Sequence, residues 1–466
     1  MTKLNAWKMA GVVLMLWAET MMAAQAQTFT TVANFDGRDG SNPGYMNLAQ
    51  GQGGNLYGTT ANGGYYEDGT IFEMTSAGKL KTLHSFDFAD GYQPIAGLVL
   101  SNDGNFYGTT ARGGNYANGT VYKVTPRGAL TSLDSFCART DCVGDSVAPL
   151  VEGEDGELYG TAYSDAVFKI TSGGLLTTLF VFDGSDGENP WAGLVRASDG
   201  NFYGTTASGG TYDGGTIFKI TPGGALTTLY DFPQYSAPLG GLIQGTDGNL
   251  FGTTSGGGLG GGGGTVFEFA TDGQVTALYN FCSVTNCADG SYPSAGLVEG
   301  TDGSLYGTTY EGGNGSNNCP SGGCGTVFKL TRSGTLTTLH VFGFTDGASP
   351  AGGLVQATNG IFYGTTLQGG IGCPGGCGTV FSLDMGLAPF VTFVRSFGKV
   401  GQTGGILSQG LTGTTSVSIN GIQADFTVVS DTFIRATVPA GATTGYVSVA
   451  TPSGTLTSNV PFRVIP

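Results

Sequence analysis

The chain is poor in charge, and in positive charge above all. Lysine and arginine total 18 in 466 residues against 34 aspartates and glutamates, giving a formal net charge of −16. So little basic surface can replace few phosphate counterions, so neither nucleic acid nor an anionic membrane is expected as the main partner. Histidine occurs only at His84 and His340, which leaves little for a His-based metal site or a Ser-His-Asp grouping. Beyond the N-terminal segment no apolar run approaches the ~20 residues that span a bilayer, and no transmembrane segment is expected in the mature chain. Long helices are excluded as well, because 86 glycines interrupt the sequence and each is unfavourable in a helix interior. These glycines follow no Gly-X-Y period, so the chain is not collagen-like. With 39% apolar and 11% aromatic residues it has enough side chains for a sizeable core and is not disordered. An all-β chain of short strands and turns remains.

The N-terminus carries Lys3 and Lys8, an apolar run from Met9 to Ala18, and then Ala24-Gln25-Ala26. This is the pattern of a signal peptide over residues 1–26, cleaved after Ala26. Glu19 fits it poorly, and a buried N-terminal helix is the alternative. An exported protein is expected, whether extracellular, cell-surface or periplasmic. The eight cysteines fall in four close pairs, Cys137/Cys142, Cys282/Cys287, Cys319/Cys324 and Cys373/Cys377. Metal binding is the alternative, but zinc sites favour tighter Cys-x-x-Cys spacing with a second pair or a histidine nearby. In an exported chain local disulfides are expected, stiffening loops more than the whole fold.

Self-similarity is the strongest signal. Tyr-Gly-Thr-Thr and its variants begin at Tyr57, Tyr107, Tyr159, Tyr203, Phe251, Tyr306 and Tyr363. Each copy contains four strand-like runs in about 50 residues, the arithmetic of a propeller blade. Asp-Gly at 103, 155, 199, 247 and 302, and Asn359-Gly360 in the last copy, separate the first and second runs as tight hairpin turns. These carboxylates read as turn residues rather than catalytic acids. Six copies carry their own fourth run, ending at Phe86, Phe136, Phe182, Phe232, Phe281 and Phe342, and the seventh lacks one. Thr28 to Phe35 matches Ala225 to Phe232 and precedes the first copy. The expected fold is therefore a seven-bladed β-propeller over residues 27–386, closed by an N-terminal strand. Phe390 to Phe397 is the alternative closing strand. Residues 387–466 drop the repeat and alternate as short strands, suiting a small immunoglobulin-like β-sandwich.

The pattern Asp-Gly-Asn-Phe-Tyr-Gly-Thr-Thr, a Gly-Gly loop, Gly-Thr-Ile/Val-Phe-Lys-Ile-Thr and Leu-Thr-Thr-Leu resembles the GloVer (Gloeo/Verruco) tandem repeat of exported bacterial proteins. The resemblance covers about residues 28 to 383. The tail, with Thr415-Ser416-Val417-Ser418-Ile419-Asn420-Gly421 and Val438-Pro439-Ala440-Gly441, looks like an IPT/TIG immunoglobulin-like domain. The resemblance implies export and architecture. It transfers no catalytic residues.

In a four-stranded blade, the loops joining strand four to the next strand one share a face with those joining strands two and three. All four cysteine pairs and the long insertions fall in these two loop classes, so this face is the expected binding face. It also carries Asp-Gly-x-x-Pro five times, at Asp39, Asp90, Asp186, Asp289 and Asp346, a motif that the third and fifth copies lack. These aspartates are either a ring of acceptors for Ca²⁺ or sugar hydroxyls, or Asx-type turns that position the proline. Trp191, the one tryptophan left after signal removal, is either a stacking platform for a sugar or aromatic ligand, or inter-blade packing. The glycine stretch from Gly256 to Gly264 lacks the Lys-Ser/Thr and helix of a phosphate cradle. Both histidines are expected in outer strands, away from this face. The reading that results is an exported noncatalytic binding or cell-surface structural protein, engaging a glycan or another extracellular protein. The alternative is a secreted polysaccharide hydrolase or lyase using carboxylates on the same face. No cofactor is expected, with Ca²⁺ as the one metal the aspartates suggest.

Overall fold

The computed structural model describes residues 27–45, 47–137, 144–257, 262–313, 319 and 322–465. The expected signal peptide and Cys142 lie outside them. Among these residues regular structure is almost entirely β, with one three-residue 3-10 turn at Thr285–Cys287. Seven four-stranded antiparallel sheets occupy residues 28–384, and the tail adds two four-stranded sheets and a parallel strand pair. Six of the seven sheets take their strands in chain order, as in Val195–Arg196, Phe202–Thr206, Thr216–Ile220 and Leu226–Asp231 of the fourth. In the seventh, Thr28–Asn34 pairs antiparallel with Thr379–Asp384. The other candidate for that edge is used elsewhere: Thr392–Phe393 pairs with Thr403–Leu407 in the tail.

The recurring tetrapeptide has a separate contact for each residue. In the third sheet Tyr159 donates its hydroxyl to Asp155 Oδ2 of the preceding turn at 2.6 Å, and its ring stacks on Phe202 of the fourth sheet with centroids 4.1 Å apart. Gly160 lies directly opposite Phe168. A Cβ there would stand 2.7 Å from Phe168 Cζ, so only glycine leaves room for the ring. Thr161 donates to the Ala192 carbonyl of the next sheet at 2.9 Å. The second threonine, as in the Thr206–Thr216 pair at 2.9 Å, ties strand two to strand three.

The ring facing that glycine is phenylalanine in six copies and Tyr122 in the second. Tyr122 is fully buried and its hydroxyl has no hydrogen-bond partner. A buried, unsatisfied hydroxyl carries a desolvation penalty of roughly 1–3 kcal/mol. Tyr122→Phe is therefore expected to raise stability by about 1 kcal/mol in denaturant unfolding; a loss of stability would show that the hydroxyl finds a partner.

Apolar clusters sit at the junctions between consecutive sheets. Phe136 of the second sheet packs with Phe168 and Ile170 of the third, and Phe232 of the fourth with Phe267 of the fifth. Another cluster joins the seventh sheet to the first, where Tyr363, Val380 and Ala357 meet Leu48, Leu56 and Phe72. The two-residue inner strands add a polar latch. Gln244 Oε1 accepts the Ser198 N–H at 2.8 Å, Gln356 Oε1 the Thr301 N–H at 3.0 Å, and Gln50 Oε1 the Thr358 N–H at 3.0 Å. The last of these again links sheet seven to sheet one.

Loops from strand four to strand one bridge to the two-to-three loops of the same repeat, as in Tyr92↔Arg112, Glu188↔Ser208 and Ser291↔Glu311. One face of these sheets is therefore made from both loop classes together. The tail docks on the other face. Its two four-stranded sheets enclose Ile406, Val417, Ile419, Ile434, Val447 and Val449. Thr432 donates to the Gln52 carbonyl at 2.7 Å, Phe390 N–H to the Thr358 carbonyl at 3.1 Å, and Leu407 and Phe433 pack with Tyr57 and Phe106.

Candidate functional site

Residues in and beside the inner strands line one channel. Its wall is set by glycines that let neighbouring sheets approach: a Cβ on Gly193 would lie 2.9 Å from the Pro149 carbonyl, and one on Gly353 2.9 Å from the Gly296 carbonyl. A cavity of about 400 Å³ runs along it, past Val99, Val151, Val195 and Ile243 at the waist. Such a volume lies within the range of small-ligand pockets.

At the loop face the channel opens between aromatic side chains from sheets that lie far apart in sequence. Trp191, ahead of the fourth inner strand, is half-buried. Its ring meets that of Tyr45, ahead of the first inner strand, at 6.0 Å and 78°, and that of Tyr163, just past strand two of the third sheet, at 5.5 Å and 90°. Tyr292 and Tyr310 of the sixth sheet, 6.2 Å apart, complete the mouth with Leu239, Ser294 and Glu311 around a second cavity of about 480 Å³. Burial, together with the neighbouring Tyr310 and Tyr292, pushes the Tyr45 hydroxyl above its ordinary pKa. Tyr45 and Tyr292 both hold positive φ, 27° and 61°, conformations that cost a non-glycine residue on the order of 1–2 kcal/mol and persist where surrounding contacts fix them.

The five Asp-Gly-x-x-Pro aspartates do not converge on this mouth. Each carboxylate accepts hydrogen bonds within its own repeat. Asp39 Oδ1 accepts the Asp36 N–H at 2.9 Å, Asp90 Oδ1 the Asp87 N–H at 3.0 Å, and Asp186 Oδ1 the Asp183 N–H at 3.0 Å. Asp289 Oδ2 accepts the Ser283 N–H at 3.0 Å and Asp346 Oδ1 the Gly343 N–H at 2.8 Å. The glycine that follows each lies over the paired threonines of strands two and three; at Gly187 a Cβ would stand 2.4 Å from Thr206 Oγ1. Among the described residues no group of three or more His, Cys, Asp or Glu side chains is placed to hold a metal ion. Burial pushes Asp39 up to about 6, Asp36 beside it adding repulsion. At the opposite face burial also acts to raise Asp199, but hydrogen bonds from Lys219, Asn201 and Tyr203 outweigh it and bring it down to about 2.

The histidines depart from expectation. Both lie in fourth strands, yet His84 Nε2 reaches Asp90 Oδ2 at 2.8 Å and His340 Nε2 reaches Asp346 Oδ2 at 2.9 Å, so they belong to the loop face. Tyr279 makes the same contact to Asp289 at 2.8 Å. Sequence spacing hid this because the aspartate folds back over the end of the strand that precedes it. Three of the cysteine pairs are bonded, Cys282–Cys287, Cys319–Cys324 and Cys373–Cys377. Cys137 is also disulfide-bonded.

Of the residues singled out in the sequence, Trp191 alone lines the mouth. Tyr163 and Tyr310 were legible in principle: both follow the tetrapeptide at the position held by Ala61, Ala111, Ala207, Ser255 and Leu367 in the other copies. A large aromatic replacing smaller side chains at one register of a repeat was the missed signal.

A family model for the Gloeobacter/Verrucomicrobia repeat matches residues 19–166, 164–319 and 234–425. No curated protein sequence matches the chain. Among solved structures, a fungal alcohol oxidase in complex with copper aligns at 13% identity and TM-score 0.52, over 94% of this chain and 99% of that one. The extracellular domain of a putative hybrid two-component system from B. thetaiotaomicron aligns at 12% and 0.50, covering 91% of this chain and 53% of that one. That of a putative one-component system from the same organism aligns at 11% and 0.50, covering 91% and 57%. At such identities the likeness is one of propeller-like fold, and this chain spans little more than half of the last two.

Proposed function

Since the chain belongs to the Gloeobacter/Verrucomicrobia repeat family, we propose that it is an exported, noncatalytic binding protein that takes a glycan at the aromatic mouth of its channel. Residues 27–386 act as a seven-bladed propeller closed by the N-terminal strand, a reading supported by the junction of sheets seven and one. Residues 387–466 act as an IPT/TIG-like sandwich covering the opposite face and leaving the loop face free. Export is supported by the disulfides, which persist in oxidising compartments.

One observation carries the binding reading: Trp191, Tyr45 and Tyr163 meet edge to face over the channel opening. Aromatic rims on a concave site offer flat apolar area to sugar rings at little entropic cost. Glu311 is the one carboxylate among the described residues lining that opening, whereas glycoside hydrolysis uses two, about 5–10 Å apart. Supporting aspartates are engaged in turns, which makes a sugar-stacking role for Trp191 the stronger part of the site and direct ligation by Asp39, Asp90, Asp186, Asp289 or Asp346 the weaker.

The test is a glycan array with the full chain, with and without Ca²⁺, beside a released-sugar assay. Trp191→Ala is expected to weaken binding about tenfold, consistent with roughly 0.5–1.5 kcal/mol of aromatic interaction plus lost contact area, while the melting temperature holds. Unchanged affinity removes the stacking role; sugar release replaces binding by hydrolysis; and capture of protein but no glycan moves the partner to the other class.

A further inference from the structure

The floor of the channel is built from different chemistry than its mouth, and the tail supplies half of it. Arg395 and Phe397 enter from the tail to meet Glu152 and Arg196 of the third and fourth inner strands. The Arg196 guanidinium lies 3.6 Å from the Phe397 ring centroid, and that of Arg395 4.8 Å from the same centroid. Arg395 Nη1 reaches Glu152 Oε1 at 3.4 Å, while Arg196 and Arg463 share Glu154 Oε1 at 2.9 and 2.7 Å. Three guanidiniums thus face two carboxylates. Asp103, the further acid that acts on Glu152, has Lys123 beside it. In a protein of net charge −16, this floor gathers three guanidiniums about two carboxylates.

Two polar groups along the channel are also unused. The Arg395 side chain is 10% exposed, and its Nε is buried without a hydrogen-bond partner. Ser294 Oγ, which lines both the channel and its mouth, is buried and equally unpartnered. Buried donors left unmade are costly, and a fixed guanidinium with donors to spare suits the planar geometry of a carboxylate. Between floor and mouth the waist presents Val99, Val151, Val195 and Ile243.

We propose that the channel takes a small ring-bearing acid, its carboxylate directed to Arg395 and its ring held between the apolar waist and Trp191. This rests on the reading of the mouth as a ligand-binding site and narrows it to one charge class. The shared chemistry is a carboxylate on a compact ring, which a uronic acid or an aromatic acid would supply.

Calorimetric titration of the full chain with D-glucuronate and with benzoate, each against its neutral counterpart D-glucose or benzyl alcohol, tests the proposal and separates the two sources. At least one acid is expected to bind ten times more tightly than its neutral partner. Arg395→Gln is expected to erase that difference, and Ile243→Phe, which fills the waist away from the tail, to block binding altogether. Should Arg395→Gln prove unfolded, the Ile243→Phe result and competition by inorganic phosphate decide. Equal affinity for acid and neutral partner, undiminished binding to a folded Arg395→Gln or Ile243→Phe protein, or phosphate competing as well as the acids would overturn it. Neutral glycans on the array without any preference for acids would leave the mouth reading standing and this one refuted; no binding of either kind would remove both.

Discussion

Deleting residues 27–35 is expected to leave no stably folded array of the seven sheets. Thr28–Asn34 supplies the outer strand of the seventh sheet through six paired positions on Thr379–Asp384, and Phe35 behind it is fully buried against Phe72 at 5.1 Å between ring centroids. Without this segment Thr379–Asp384 becomes an open edge with unpaired N–H and C=O groups. The cluster joining the seventh sheet to the first also loses Ala33 and Phe35. Truncating one buried phenylalanine to alanine costs about 3–5 kcal/mol, against a total domain stability of about 5–15 kcal/mol. The loss of a whole strand and its core contacts should therefore exceed what the remaining sheets can absorb. Circular dichroism melts and the yield of folded protein read the effect, with Phe35→Ala as the milder variant expected to lower stability by the single-residue amount. A truncated protein melting within a few degrees of the intact one would show that the fold does not depend on its N-terminal strand.

The second large effect is expected from one methyl group. Gly307 lies opposite Phe328 in the sixth sheet, and a Cβ on it would stand 2.6 Å from Phe328 Cζ and 2.9 Å from Leu297 Cδ2. Neither ring nor leucine has space to retreat, since Phe328 is fully buried and Leu297 nearly so, both within the cluster formed with the fifth sheet. Overpacking of this kind costs typically 1–3 kcal/mol, occasionally more, so Gly307→Ala should destabilise by about 3 kcal/mol. Phe328→Leu in the same chain is expected to recover part of that loss, because the two residues touch and their effects should not add. Denaturant unfolding of the two single variants and the double variant measures the coupling. Additive losses would mean that the glycine is kept for backbone freedom and not for the ring.

These two expectations depend on sequence signals of different clarity. The glycine could be marked as special because it recurs at one place in seven copies, but the sequence does not say what it approaches. Only the pairing register, which sets Gly307 against Phe328, supplies the reason. The partner of Thr28–Asn34 is legible from the fourth strand that the seventh copy lacks and from the match of residues 28–35 to residues 225–232, since β pairing within a repeat leaves a periodic trace. The candidate site was far less legible. Tyr45, Tyr163, Trp191, Tyr292 and Tyr310 belong to four different repeats, and no spacing rule links positions that meet only across a channel. Arg395 carries no sequence signal at all, because its place is set by how the tail docks.

The amino-acid sequence determined the repeating unit, its turns, its apolar strand faces and the proximity of its cysteines, because each of these depends on residues within about fifty positions of one another. Tertiary structure alone decided which aromatics share an opening, that the aspartates serve their own turns, that the histidines reach the loop face, and that the tail brings an arginine to the channel floor. Those outcomes depend on how the sheets pack and the tail docks, where residues far apart in the chain are brought together by packing between sheets and not by any local preference.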